Sequence, residues 1–333
     1  MPTKWFNIAT FNTYNLALPD ITFYETKKYS KAQYAAKKAW IKHQIEQMRP
    51  DVIGFQEVFH KAALKEILGE TPGLAQAELY MPPETGTAPC VALASRFPLE
   101  NLSIIEEFPA SAHLSINDQP AQVSKFQRPI VRATVKINNG IFQVIVFVVH
   151  LKSKRPIIAP AADPDDPLQI ALGSAKSLLM RAAEATALRH ILVETMRGNT
   201  TPVIVLGDIN DSVTAVTSEI VSGTPPYKRL SAAKKAAVWD VLLYNVKDLQ
   251  SRISLQDTYY THIFNGYCES LDHIFVSNEL VRANPEYRGY VEYVKVFNDH
   301  LIDETLSNEE VPVTQSDHGQ VVATIRLGQT GEV

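Results

Sequence analysis

The stretch "IVLGDINDS", Ile204 to Ser212, poses the question on which the reading of this chain turns. A run of branched apolar residues, the mark of a buried strand, stops abruptly at Gly207, Asp208, Asn210 and Asp211. Aspartate and asparagine favour turns, so a cap or turn accounts for one such ending. The same carboxylate and carboxamide are also the donors that a metal-assisted hydrolytic site requires.

Outward from this stretch the pattern repeats. "WFNIATFN" (5–12) alternates as a strand and ends at Asn12. "DVIGFQEV" (51–58) is a buried strand ending in Glu57, and "IFQVIVFVVH" (141–150) ends at His150. Asp272 lies in the strand "SLDHIFVS" (270–277), and Asp317 and His318 open the last strand, "HGQVVATIRL" (318–327). Six strand ends thus carry only Asn, Glu, His and Asp. If they converge on one edge, their side chains gather over one patch.

The rest of the chain supplies strands and a few helices. "PCVALASRF" (89–97) and "TPVIVLGD" (201–208) read as strands, and "NNG" (138–140) marks a hairpin between "RPIVRATVKI" and "IFQVIVFVVH". Residues 30–48 form a helix with Tyr34, Ile41, Ile45 and Met48 on one stripe. Residues 165–196 form a long helix, capped by Asp166 with Pro167 in its first turn. Strands outnumber helices and many are joined by hairpins, which favours an α/β sandwich of mixed sheets over a doubly wound parallel sheet. No repeat, linker or shift in composition divides the sequence, so one domain over 1–333 is expected.

Composition is that of a soluble globular chain: 333 residues, 45% hydrophobic, 20% charged, net charge -4. The charge argues against grip on nucleic acid through a general positive field, though not against a local basic groove. Cys90 and Cys268 lack metal-ligand or redox spacing. No apolar run approaches a membrane span. "MPTKWFNIATFN" lacks the apolar core of a signal peptide, so a cytoplasmic protein is expected.

Chemistry follows from residue types. Glu and Asp oxygens with Asn suit a hard cation such as Mg²⁺, and no Cys/His cluster points to structural zinc. Such a cation neutralises a phosphate oxygen. Asp208 is placed to take a proton from an attacking water. A protonated histidine held by a carboxylate donates to the phosphoryl oxygens, and Asp272 with His318 offers that pair. Lys152 and Lys154 directly follow His150 and are candidates to touch substrate phosphate, or are solvated surface lysines. His273, next to Asp272, should pack on the opposite strand face. Asp211 is expected to be a turn residue. The acids Asp163, Asp165 and Asp166 are expected in a solvated loop and helix cap. Two long loops, 13–29 with its aromatics and lysines and 153–167, flank the candidate site.

The ordered set "FN", "QEV", "HLKSK", "GDIND", "LDHIFVS" and "SDHG" resembles the endonuclease/exonuclease/phosphatase family, the fold of deoxyribonuclease I. The resemblance runs from Asn12 to His318. It implies a four-layer sandwich: two mixed β-sheets packed face to face and flanked by helices. It implies that Glu57 is the principal Mg²⁺ ligand, with Asn12 beside it and Asp317 at the metal edge; Mn²⁺ is a plausible substitute. It implies that Asp208 activates water, Asn210 supports the nucleophile and the phosphate, and His318, with Asp272 behind it, and His150 contact the phosphate. "FQRPIVRATV" resembles the Arg-bearing strand of the deoxyribonucleases and makes Arg128 a candidate phosphate contact. "HLKSK" and "NGYCESLDHIFVS" look most like bacterial deoxyribonucleases, so the expectation is a Mg²⁺-dependent nuclease, monomeric, with DNA as the favoured partner and no protein partner. A phosphodiesterase or phosphatase on a lipid or small phosphate is the alternative; a non-catalytic scaffold of the same fold is a third.

Overall fold

The computed structural model describes residues 3–328 apart from 25, 117–118, 121–122, 255–258 and 305–309. In chain order the elements begin β1 (Trp5–Leu16), α1 (Lys31–Met48), β2 (Val52–Val58), α2 (Lys61–Gly69), β3 (Glu78–Tyr80), β4 (Cys90–Ser95) and β5 (Leu99–Glu107). The short β6 (Ser115–Ile116) and β7 (Gln119–Pro120) precede β8 (Lys125–Ile137), β9 (Phe142–His150), α3 (Pro167–Met196) and β10 (Val203–Asp208). There follow α4 (Val216–Ser222), α5 (Ala232–Trp239), β11 (Leu243–Asn245), α6 (Val246–Ser251), β12 (His262–Phe264) and β13 (Tyr267–Glu269). The chain ends through β14 (Asp272–Ser277), β15 (Gly289–Phe297) and β16 (Gln320–Leu327).

Two six-stranded sheets, ordered β15-β16-β1-β2-β4-β3 and β11-β14-β10-β9-β8-β5, form the body. Strand alternation decides their packing. Ile8, Val52, Leu93, Val146, Ile204, Leu206, Ile274 and Val321 point inward and make the core between the sheets. Their neighbours Ala9, Ile53, Phe55 and Ala94 face α1 and α2. Ile145, Phe147, Val203, Val205 and Phe275 face α3 through Ala185, Leu188, Leu192 and Met196. The expected four-layer sandwich of two mixed sheets is therefore the architecture observed. At Gly54 the sheets approach so closely that an added Cβ would lie 2.0 Å from Leu206 Cδ1.

The helix expected over 30–48 begins at Lys31, with Ser30 as its cap: Gln33 N donates to Ser30 Oγ and Ser30 N to Gln33 Oε1. The long helix starts at Pro167, and Leu168 N donates to the Asp166 side chain. The "NNG" hairpin pairs Ile137 with Phe142, with Asn138 and Asn139 both at positive φ. β1 runs past Asn12 to Leu16 through a register shift, and β5 and β15, weakly patterned edge strands, had no expectation attached.

The topology places the site. Each sheet holds one parallel pair, β1–β2 in the first and β9–β10 in the second; every other pairing is antiparallel. Parallel neighbours finish at the same edge, so Asn12 ends beside Glu57 and His150 beside Asp208. Antiparallel neighbours start there: β14 opens at Asp272, paired with Asp208, and β16 begins just after His318.

Candidate active site

Backbone geometry at the sheet edge aims the side chains. Glu57 adopts φ +61°, a left-handed conformation rare outside glycine. The Thr13 hydroxyl fixes that turn, donating to Gln56 O at 2.8 Å and Glu57 O at 3.2 Å. Gly207 has φ +143°, and a Cβ there would fall 1.9 Å from Val149 O. Only glycine lets β9 and β10 close up and bring His150 against Asp208. Asn210, at φ +58°, turns the chain out of β10. Its backbone N donates to Asp208 Oδ1 at 2.8 Å, and its Nδ2 to Leu151 O at 3.0 Å.

Asp208 is the hub. Its Oδ2 accepts from Asn12 Nδ2 at 3.2 Å and lies 3.4 Å from His150 Nε2 and 3.9 Å from His318 Nε2. Behind His318, Asp272 Oδ2 sits 2.8 Å from Nδ1. The chain fixes the other side of His318 as well. Its N donates to Ser316 Oγ, which donates to Asn12 O, and so ties β1 to the last turn. All these side chains are buried.

Electrostatics sorts the two histidines. Burial pulls His318 down, but Asp272, Asp208 and Asp317 outweigh it and hold its pKa well above the ordinary value. His150 is pushed well below that value by burial, with Arg128 and His318 adding to the effect. It is therefore neutral, and its contact with Asp208 is not an ion pair. Burial lifts Asp208 to about 7, partly countered by His318 and reinforced by Asp272.

Oxygen donors collect at the Glu57 corner. Burial raises the Glu57 pKa and the charge of Asp317 adds to this, while His318, Arg128 and the Asn12 side chain oppose it. Glu57 Oε2 accepts from Asn15 N at 3.0 Å. Asp317 Oδ1 is buried and, among the described residues, has no hydrogen-bond partner. Two mutually repelling carboxylates, one with an orphaned oxygen, beside a carboxamide fit a hard divalent cation.

Arg128 reaches the same edge, where Nη1 donates to Leu151 O at 3.4 Å and its buried Nε has no partner. Lys152 and Lys154 are engaged elsewhere. Lys152 Nζ donates to Ser153 O, Ser153 Oγ and Arg155 O. Lys154 Nζ lies 3.0 Å from Glu269 and 3.7 Å from Asp211. Loop carbonyls and a hydroxyl thus hold the Lys152 ammonium, and two carboxylates that of Lys154. His273 packs as expected on the opposite face, bonded to Asn245 and Asp211 O.

Three buried charges went unread in the sequence. Lys37 lies on the apolar stripe of α1 and donates to Val313 O and Gln315 O, both at 3.3 Å, bracing the turn that carries Asp317. On α3, Glu184 accepts from Gln127 N and Lys152 N. Arg181, three residues earlier, donates to Lys152 O and Asp211. The signal was present: a charge inside a helix's apolar stripe, and a charge pair spaced i, i+3.

The Endonuclease/Exonuclease/phosphatase family profile matches residues 9–318. The chain belongs to the endonuclease/exonuclease/phosphatase family. Members of this family are metal-dependent phosphoesterases. Among solved structures, the family's Bacteroides vulgatus protein is 14% identical, with 98% of this chain and 100% of that one covered and a TM-score of 0.57. The mannosyl-6-phosphatase Bt3783 of Bacteroides thetaiotaomicron is 17% identical, at 96% and 99% coverage and a TM-score of 0.54. D. rerio TDP2 complexed with a single-strand DNA product is 14% identical, at 97% and 100% coverage and a TM-score of 0.53. At these identities the likeness is one of fold. No curated protein matches the chain in sequence. Among the described residues, no helix is long and apolar enough to cross a membrane.

Proposed function

We propose that this member of the family is a Mg²⁺-dependent phosphodiester hydrolase acting on nucleic acid, with DNA the favoured substrate. The observation that carries the reading is one buried carboxylate, Asp208, set between the imidazoles of His150 and His318, with Asp272 bonded to the far side of His318.

Asp208 takes the proton of the attacking water. Asn210 has its Nδ2 and backbone N engaged, which leaves its carboxamide oxygen to orient that water. Protonated His318 donates through Nε2 to a non-bridging phosphate oxygen, because Nδ1 is held by Asp272. Neutral His150 assists at the same phosphate, and the guanidinium of Arg128 positions the strand's phosphate. Glu57, with Asn12 and Asp317, would hold Mg²⁺ or Mn²⁺, which supplies charge neutralisation at a phosphate oxygen.

Charge favours a diester. Glu57, Asp208, Asp272 and Asp317 face one guanidinium and one imidazolium, so a dication brings the site to neutrality without surplus. That suits the single charge of a diester better than the two of a monoester. The DNA product held by the similarly folded D. rerio TDP2 agrees with a nucleic-acid substrate.

The test is incubation with Mg²⁺ and a panel: plasmid DNA, single-stranded RNA, bis-p-nitrophenyl phosphate, mannose 6-phosphate and sphingomyelin. Cleavage of DNA and of the synthetic diester, with mannose 6-phosphate untouched, is expected. Turnover of the monoester or of sphingomyelin without DNA cleavage would replace nucleic acid by a small or lipid phosphate. No turnover of any substrate would overturn the hydrolase reading itself.

A further inference from the structure

The hairpin β12–β13 forms its own two-stranded sheet against the cluster, and it carries a histidine that the roles above leave unused. Thr261, just before it, pins the hairpin on two sides. Its hydroxyl accepts from Leu271 N and Asp272 N, and its carbonyl accepts from Gly319 N at 2.7 Å. His262 is therefore tied to the starts of both β14 and β16, and its ring stands 5.2 Å from that of His318.

One ligand atom from each of His262, Asp317 and His318 lies within 4.8 Å of the others. Two of the three side chains carry unsatisfied buried atoms: among the described residues, His262 Nδ1 and Asp317 Oδ1 have no hydrogen-bond partner. An orphaned buried polar atom is costly, and one ion shared by two residues of the same cluster would give both a partner. In His318, Nδ1 is taken by Asp272, the carboxylate–histidine arrangement that commonly backs a metal-bound imidazole, and Nε2 is left to face the cluster.

We infer that His262, Asp317 and His318 form a binding site for a borderline transition-metal dication of the Zn²⁺ class, which shares Asp317 with the oxygen donors around Glu57 and takes its other two ligands from imidazoles. Two imidazoles and one carboxylate suit such an ion and leave a tetrahedral position open. Mg²⁺ prefers oxygen donors and rigid octahedral geometry, and is a poor match for this set. Occupancy replaces the proton on His318 Nε2, which is released to solvent, and so takes the atom that the proposed reaction aims at the phosphate. The ion is thus an inhibitor of the Mg²⁺-supported reaction. This last step rests on the proposed function; the binding does not.

The two are separated by measuring binding directly. Zn²⁺ is titrated calorimetrically into the full chain at saturating Mg²⁺, and Co²⁺ is followed by its visible absorption. The proteins are the parent, His262→Ala, His262→Gln and Glu57→Gln, with melting curves to establish that each is folded. The parent should bind one Zn²⁺, and Glu57→Gln should retain it. Both His262 variants should bind at least tenfold more weakly, given that even outer-shell partners of a metal are worth roughly 10–100-fold. Zn²⁺ should inhibit the parent's Mg²⁺-supported rate and lose that potency in His262→Gln. No Zn²⁺ binding by the parent, or equal binding by folded His262→Gln, overturns the site. So does a thiolate charge-transfer band with Co²⁺, which would place the ion at the exposed Cys268 of the same hairpin. If the parent hydrolyses no phosphoester yet binds Zn²⁺ through His262, the site stands and the proposed function falls.

Discussion

Asp272→Asn removes one charge and almost no volume. The 2.8 Å contact to His318 Nδ1 is buried on both sides, so solvent screens it little. A carboxylate at such range moves a neighbouring pKa by about 1–3, or roughly 1.4–4 kcal/mol. The sign is as follows. Asp272 raises His318, so the imidazolium persists to higher pH than in the free side chain, and activity is lost as pH rises through that elevated value. Without Asp272 the alkaline limb should fall by about 1–3 pH units. Asp208 and Asp317 remain and keep part of the elevation. Asp272 also pushes Asp208 up from the ordinary carboxylate range. Activity is lost as pH falls through the Asp208 value, so the acid limb should move down too. The whole bell slides to lower pH. Its height should fall by less than the roughly 10²–10⁴-fold that loss of a complete acid–base group costs, since His318 is still present. His150→Ala is the comparison: a neutral group assists there, so the rate should drop with both limbs in place. The assay is initial rate of diester cleavage against pH at saturating Mg²⁺. An alkaline limb that does not move in Asp272→Asn refutes the pairing and the role given to His318.

Four further outcomes are expected. Glu57→Gln should lose activity at low Mg²⁺ and recover part of it in excess, because one charge leaves a hard-cation site; parent-like activity at low Mg²⁺ would remove Glu57 from the ligand set. Asp208→Asn should keep the fold and substrate binding and lower the rate constant by at least about 10²-fold; a loss under about tenfold would assign the base elsewhere. Burial lowers Lys37 to about 7, so its charge costs stability fully below that pH and progressively less up to the lysine value of the unfolded chain. Lys37→Met should therefore raise the melting temperature, by up to the roughly 1–4 kcal/mol that apolar replacement of buried ionic groups can give. It should also raise the Mg²⁺ concentration needed for activity, through the loosened Asp317 turn; a lower melting temperature, most of all near neutral pH, contradicts the account. Gly54→Ala should destabilise by about 1–3 kcal/mol in thermal melts, as overpacking between the sheets does, and an unchanged melt would mean that Leu206 moves aside freely.

Some of this was legible in the sequence because the physics is local. Alternating apolar residues mark the faces of β1, β2 and β10, and while a turn or cap accounts for one strand ending in a carboxylate, six ends carrying only Asn, Glu, His and Asp call for a common use. The motif set from Asn12 to His318 also carried the order of the strands. Other features were beyond sequence because they depend on contacts across long separations. Nothing near Lys37 announces that its ammonium meets carbonyls almost 280 residues later. Nothing after His150 tells that Lys152 turns back to its own loop while Glu184 takes its amide. His262 lay outside every motif, and only the Thr261 bonds to two strands bring it to His318.

The convergence of the six strand ends has a topological cause. A purely antiparallel sheet alternates its strand ends between two edges, so consecutive polar termini would scatter. Here each sheet holds one parallel pair, and those pairs carry Asn12 with Glu57 and His150 with Asp208. Each is flanked by an antiparallel strand that begins where the pair ends, at Asp272 and just after His318. Three strand termini per sheet therefore share an edge, and the face-to-face packing sets the two edges against each other. The Asn12–Asp208 hydrogen bond crosses from one sheet to the other. So does the Asp272–His318 pair. The site thus forms only when both sheets are docked, and a substitution that shifts the inter-sheet core, such as Gly54→Ala, acts on the chemistry through these two contacts before it touches any residue of the site.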